Sequence, residues 1–139
     1  MRLDLYQAEC ERIAKDQISL PDEVKQRFEL GESLSRLQQN GVLHALKILI
    51  ENVIGKCKHL LKSLDEPIPV FGYDAFASLE RRGNISQQQL TQWNAIIGMR
   101  NRIVHDYMNV DINIVYMLII NNDHQMIGEF LYKPITTKL

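Results

Sequence analysis

LHALKILIENVIGKCKHLLKSL, the stretch from Leu43 to Leu64, decides the fold. Leu43, Leu46, Ile50, Val53, Cys57, Leu60, Leu61 and Leu64 recur along it every three or four residues, which is the stripe of an amphipathic helix. The helix is expected to follow Asn40-Gly41 and to end at Asp65-Glu66-Pro67. Beyond that, Pro67-Ile68-Pro69-Val70-Phe71-Gly72 reads as an extended loop, because proline biases its predecessor away from helix.

Upstream, Leu3, Tyr6, Cys10, Ile13 and Ile18 predict a first helix from Leu3 to Ile18, broken by Leu20-Pro21-Asp22. Val24, Phe28, Leu34 and Leu37 predict a second, from about Asp22 to Gln39, with a kink at Gly31. Downstream, a short helix from Tyr73 to Arg82 is expected to stop at Gly83. Ser86 and Gln89 have the spacing of a capping box and open a helix running to about Tyr107. Asp111 caps one more helix, rich in Ile, Val, Tyr and Met, before the tail Ile135-Thr136-Thr137-Lys138-Leu139. With no internal repeat or low-complexity tract, residues 1–139 are expected to form a single all-α domain, a small bundle of about five to six helices.

Composition sets the outer bounds. A hydrophobic share of 45% and a charged share of 24% belong to a globular chain, and 139 residues suffice for a modest core. The apolar run Ile112–Ile120 is interrupted by Asn113 and too short for a bilayer. Asp4, Glu9 and Glu11 interrupt any signal-peptide pattern, so the protein is expected in the cytoplasm, away from membranes. Cys10 and Cys57 form no C-x-x-C pair and are expected as buried free thiols. A net charge of −1 gives no bulk positive field to gather nucleic acid. Residues 41–107 do carry eight basic and six acidic side chains, against six and eight in residues 1–40, which leaves room for a local groove.

The helix opened by Ser86 carries the chemistry. At about 100° per residue, Trp93, Ile96, Ile97, Ile103, Val104 and Tyr107 all fall within roughly 60° of Arg100. An arginine in an apolar stripe is rarely left without a partner, and such local contradictions gather at functional sites. Asn94, Gly98, Asn101 and His105 form a second stripe beside it, in which the bare Gly98 would let another helix or a substrate backbone come close. On a straight helix Arg100 and His105 stand well over 90° apart. They act together only if Arg100 reaches around, the helix deforms or a second copy completes the site. The structural alternative is an Arg100 that snorkels from the stripe edge beside an ordinary interfacial His105.

The run Arg100-Asn101-Arg102-Ile103-Val104-His105-Asp106-Tyr107 resembles the R-x4-6-H motif of HEPN domains, in the R-x4-H-x-Y form of HepT-type toxins. The upstream Ala-Ile-Ile-Gly-Met, the downstream Val110-Asp111 and the Ile50-Glu51-Asn52 of the long helix are similar to that family too. The likeness covers about Gly41 to Tyr116. It implies a HEPN-like fold, a homodimer with motif helices facing across a cleft, and a metal-independent endoribonuclease. Arg100 and His105 would be catalytic and Asn101 and Tyr107 supporting. It also implies an antitoxin partner, a nucleotidyltransferase of the MntA kind that attaches AMP to Tyr107.

Cleavage of RNA by its own 2′-hydroxyl needs a group that moves protons near neutral pH, and histidine is suited to that. An arginine fork can hold the phosphate and stabilise charge as it develops. No cofactor or metal is expected: the four histidines show no ligand spacing, and no glycine-rich phosphate loop occurs. Lys56, Lys58 and Lys62, with Arg81 and Arg82, either flank an RNA groove or decorate a helix end, where cations suit the dipole. The rival class is a non-catalytic helical subunit that presents Tyr107 or a groove to a nucleotidyltransferase.

Overall fold

The computed structural model describes residues 3–135. Within them six α-helices follow one another: α1 (Leu3–Glu29), α2 (Arg36–Ser63), α3 (Gly72–Arg81), α4 (Gln87–His105), α5 (Ile112–Ile120) and α6 (Asp123–Tyr132). A 3-10 turn, Tyr107–Asn109, separates α4 from α5, and no strand occurs among the described residues. The all-helical expectation holds, while several helix boundaries move.

The chain does not break at Pro21. Its ring falls on the same stripe as Cys10, Ala14 and Val24, all buried in α1. A mid-helix proline costs about 3 kcal/mol through its missing N–H, and α1 continues with that ring buried on its packed face. The break falls at Gly31 instead, at φ 75°. There the Gly31 N–H donates to the Phe28 carbonyl and the Glu32 N–H to the Arg27 carbonyl, at 3.0 and 2.9 Å, the double closure that ends a helix on a left-handed glycine. The expected second helix, Asp22–Gln39, therefore belongs to two elements.

α2 begins before Asn40-Gly41. The Ser35 hydroxyl accepts from the Gln38 N–H at 3.1 Å and the Gln38 side chain accepts from the Ser35 N–H at 2.9 Å, a capping box strong enough to carry the helix over the glycine. The box at Ser86 and Gln89 opens α4 as expected. α4 ends at His105, not Tyr107, because Asp106 leaves the helical region at φ −146°. The final expected helix is two: Asp111 caps α5 through the Asn113 N–H, and the left-handed Asn122 turns the chain into α6. Asparagine is one of the few residues at home there. Only Ile135 of the tail lies within the described residues.

α2 is the hub, packed on α1, α3, α4 and α6 through the buried Leu46, Leu49, Ile50, Val53 and Leu61. Phe76 of α3 stacks on Trp93 of α4 at 4.7 Å between centroids, and Trp93 meets Phe130 of α6 edge-on at 5.2 Å. These rings hold α4, the motif helix, against its neighbours. Cys10 and Cys57 are buried and free, and burial pushes the Cys57 thiol up to about 12. Among the described residues no helix is long and apolar enough to cross a membrane.

Two polar side chains tie α6 down. Lys56, 1% exposed, sends its ammonium to the Phe130 and Leu131 carbonyls at 2.7 and 3.2 Å, and to that of Lys133. The fully buried His124 meets Asp22 of α1 through Nε2, 2.9 Å from Oδ1. Burial holds this imidazole below the ordinary histidine range, against the opposing pull of Asp22. The unfolded chain therefore takes up a proton first as pH falls below about 6.5, and stability is lost in that direction. The melting temperature is expected to fall from pH 7 to pH 5, and the fall to shrink in His124→Gln. An equal slope in both proteins would remove His124 from the explanation.

Candidate functional site

Of the apolar stripe expected on α4, Trp93, Ile96, Ile97 and Ile103 are buried, with Met99 beside them, whereas Val104 is exposed and Tyr107 falls beyond the helix. Arg100 does not end unpaired within it. Its guanidinium leaves the core at an open cleft of about 380 Å³ lined by Glu51, Lys58, Phe71, Tyr73 and Asn101, among others. There its Nη2 donates to the Glu51 carboxylate of α2 at 3.0 Å and its Nη1 to the Asn101 side chain at 3.1 Å. Both partners of the ion pair are part-exposed, at 27% and 37% of the side chain, so solvent screens the attraction and it is worth about 1 kcal/mol or less. The Arg100 Nε is buried without a hydrogen bond.

Asn101 also reaches the Tyr73 hydroxyl, at 3.5 Å. Gly98 serves this meeting: a Cβ there would sit 3.3 Å from the same hydroxyl, so the room it leaves is taken by α3. His105 is exposed in the last turn of α4. It lines neither the Arg100 cleft nor the grooves beside Tyr107. An unbroken helix keeps it roughly 140° of rotation from Arg100, so the helix does not deform to join them.

Tyr107 lies past the end of α4, 43% exposed. Its hydroxyl donates to the Asn40 side chain of α2 at 2.7 Å. One chain thus brings together Arg100, Asn101 and Glu51, and holds His105 and Tyr107 apart from them. Glu51 as the partner of Arg100 and Asn40 as that of Tyr107 were not legible as site residues, since both contacts span distant parts of the chain. Two of the other histidines have structural contacts. His59 packs its ring on Tyr6 with centroids 4.0 Å apart, and His124 anchors α6. Among the described residues no group of three His, Cys, Asp or Glu side chains is placed to hold a metal.

A family model described as HepT-like ribonuclease matches residues 9–133. Among solved structures, the chain is similar to a tri-AMPylated HEPN toxin of Shewanella oneidensis in complex with an MNT antitoxin. That likeness has TM-score 0.75 and 21% identity, over 91% of this chain and 96% of that one. A toxin–antitoxin structure with AMP-PNP is similar at TM-score 0.75 and 20% identity, over 91% of this chain and 97% of that one. At such identities the likeness speaks for the fold. A search of curated protein sequences gives no match.

Proposed function

The chain belongs to the HepT-like ribonuclease family, and from that premise we propose that it is the metal-independent endoribonuclease toxin of a toxin–antitoxin pair. The observation that carries the reading is the placement of Arg100: its guanidinium is delivered from a buried stripe to an open cleft beside Asn101. A phosphate entering the cleft would take the place of the Glu51 carboxylate on that fork and gain two parallel donors.

The reaction is transesterification. The 2′-hydroxyl gives its proton to a base and its oxygen attacks the adjacent phosphorus. The bond from phosphorus to the 5′-oxygen then breaks, and that oxygen takes a proton, leaving a 2′,3′-cyclic phosphate and a 5′-hydroxyl. His105 is the acid or base and Arg100 holds the charge that develops on the phosphate. One chain keeps these two apart, so a homodimer supplies the His105 of one copy to the Arg100 of the other. Asn101 keeps Arg100 oriented through the 3.1 Å bond.

The partner in this reading is a nucleotidyltransferase antitoxin that AMPylates Tyr107. The Tyr107 oxygen would attack the α-phosphate of ATP, pyrophosphate would leave, and the phenol proton would pass to solvent. The exposed Tyr107, whose hydroxyl donates to Asn40, and the AMPylated state of the Shewanella oneidensis toxin support this. Incubation with a nucleotidyltransferase of the MntA kind and ATP is expected to add AMP units to the wild type and none to Tyr107→Phe, read by intact mass. Addition to Tyr107→Phe would move the modification elsewhere.

One observation favours the rival reading, a non-catalytic binding subunit: the charge of Arg100 is already paired within the chain. Purified protein and an RNA pool in excess EDTA separate the two. Cleavage that leaves cyclic-phosphate ends is expected, and a folded, unmodified protein that leaves the pool intact gives the rival its case.

A further inference from the structure

Of the cations that the sequence sets beside a possible groove, Lys58 lines the Arg100 cleft, and it, Lys56, Arg81 and Arg82 already have partners within the chain. Lys56 is buried under α6. Lys58 donates to the Val70 carbonyl at 2.6 Å, Arg81 to the Ser78 hydroxyl at 2.9 Å, and Arg82 pairs with Glu66. Two cations, Arg36 and Lys47, stand on the first half of α2 with Asn40 and His44 between them. Arg36, Asn40, His44 and Lys47 follow one another at intervals of four, four and three residues, and so share one helix face.

That face forms the floor of two adjoining grooves. Arg36 and Asn40 line one, of about 160 Å³, and His44 and Lys47 line the other, of about 310 Å³. The Tyr107 ring is common to both, and neither is lined by a carboxylate. Arg36, His44 and Lys47 have no ion pair or hydrogen bond among the described residues, whereas Arg12, Arg27, Arg82 and Arg100 are all paired with carboxylates. Glu51, the partner of Arg100, lies four residues beyond Lys47 on the same helix. The stripe therefore leads to the cleft.

We propose that the Arg36–Asn40–His44–Lys47 face of α2 is a track for the backbone of single-stranded RNA, leading a phosphate toward Arg100. The inference rests on the ribonuclease reading and extends it to a substrate path. At 1.5 Å per residue the stripe spans about 16 Å, room for successive phosphates. A groove of cations beside a half-exposed aromatic ring is the common arrangement for strands held without regard to sequence, with phosphates on the cations and a base on the ring. A net charge near zero is no obstacle, because no carboxylate lines either groove to offset Arg36 and Lys47.

The test is binding of a fluorescent single-stranded 2′-O-methyl oligoribonucleotide, which cannot cleave itself, across a salt series. Each neutralised phosphate contact contributes about 0.7 to the slope of log K against log salt on a single strand. Arg36→Gln and Lys47→Gln are each expected to reduce that slope by about 0.7, and to do so equally for probes of different sequence. Lys15→Gln, on the exposed face of α1, is the control and is expected to bind as the wild type does. An unchanged slope in the Arg36→Gln, Lys47→Gln double variant overturns the track, as does a wild type that fails to bind the probe at low salt. Cleavage of unmodified RNA by the wild type, measured alongside, keeps the two readings distinct. Cleavage with an unchanged slope leaves the ribonuclease standing without this path, and a reduced slope without cleavage leaves an RNA-binding face without the enzyme.

Discussion

Replacing His105 with alanine is expected to slow RNA cleavage by about 10²- to 10⁴-fold, the contribution of a positioned acid–base group, and to leave the fold untouched. The imidazole is exposed and lines none of the clefts formed by α2, α3 and α4, so its removal should change stability by less than about 0.5 kcal/mol. Arg100→Ala is expected to cost activity on a similar scale, with one difference. It strips Glu51 of its partner and places a bare carboxylate at the mouth of the cleft, where it repels phosphate. Arg100→Lys keeps the charge but loses the planar fork, and should recover binding better than rate. Initial rates on a defined RNA, with melting curves for each variant, check this. A His105→Ala protein that cuts at the wild-type rate would end the acid–base assignment, and comparable rates in Arg100→Ala would end that of the phosphate clamp.

The largest stability effect is expected at Lys56. Burial brings its ammonium down to about 8, so it is mostly charged at neutral pH, and its three donors meet the carbonyls of Phe130, Leu131 and Lys133 at the end of α6. Cations are stabilised at a helix C-terminus by the dipole, and last-turn carbonyls have no partner within their own helix. Lys56→Met fills similar space and leaves those carbonyls without that donor. A loss of about 3 kcal/mol is expected from the charged hydrogen bonds, or about 10 °C in melting temperature for a chain of this size. A shift under about 3 °C would mean that water replaces the ammonium at no cost and that α6 is held by its other contacts, the His124–Asp22 pair and its buried apolar side chains.

The parts of the fold legible in the sequence were those set by local chemistry. The stripe from Leu43 to Leu64, the cap at Ser86 with Gln89 and the cap at Asp111 depend on side chains within one turn of the backbone they satisfy. Pro21 misled because its cost is local and its compensation is not: the ring is buried on the stripe that α1 turns to the rest of the bundle. The capping box at Ser35 and Gln38 was there to be found, by the same spacing that marked Ser86. Missing it had a consequence for the site. With the helix divided at Asn40-Gly41, Arg36 and Lys47 had no common face, and the cationic stripe of α2 was invisible. The contradiction at Arg100 was legible as a demand for a partner, though Glu51 could be named only once α2 and α4 were seen side by side.

On the proposed dimeric reading, the divergence of Arg100 and His105 around α4 would give the protein a dose threshold. If two copies must meet to complete one site, the rate per chain is constant only while dimers persist, and falls as the protein is diluted below its dissociation constant. Stray chains, made a few at a time, would then be silent, and damage to RNA would begin only when synthesis outruns dispersal. A nuclease assembled in this way measures its own abundance before it acts.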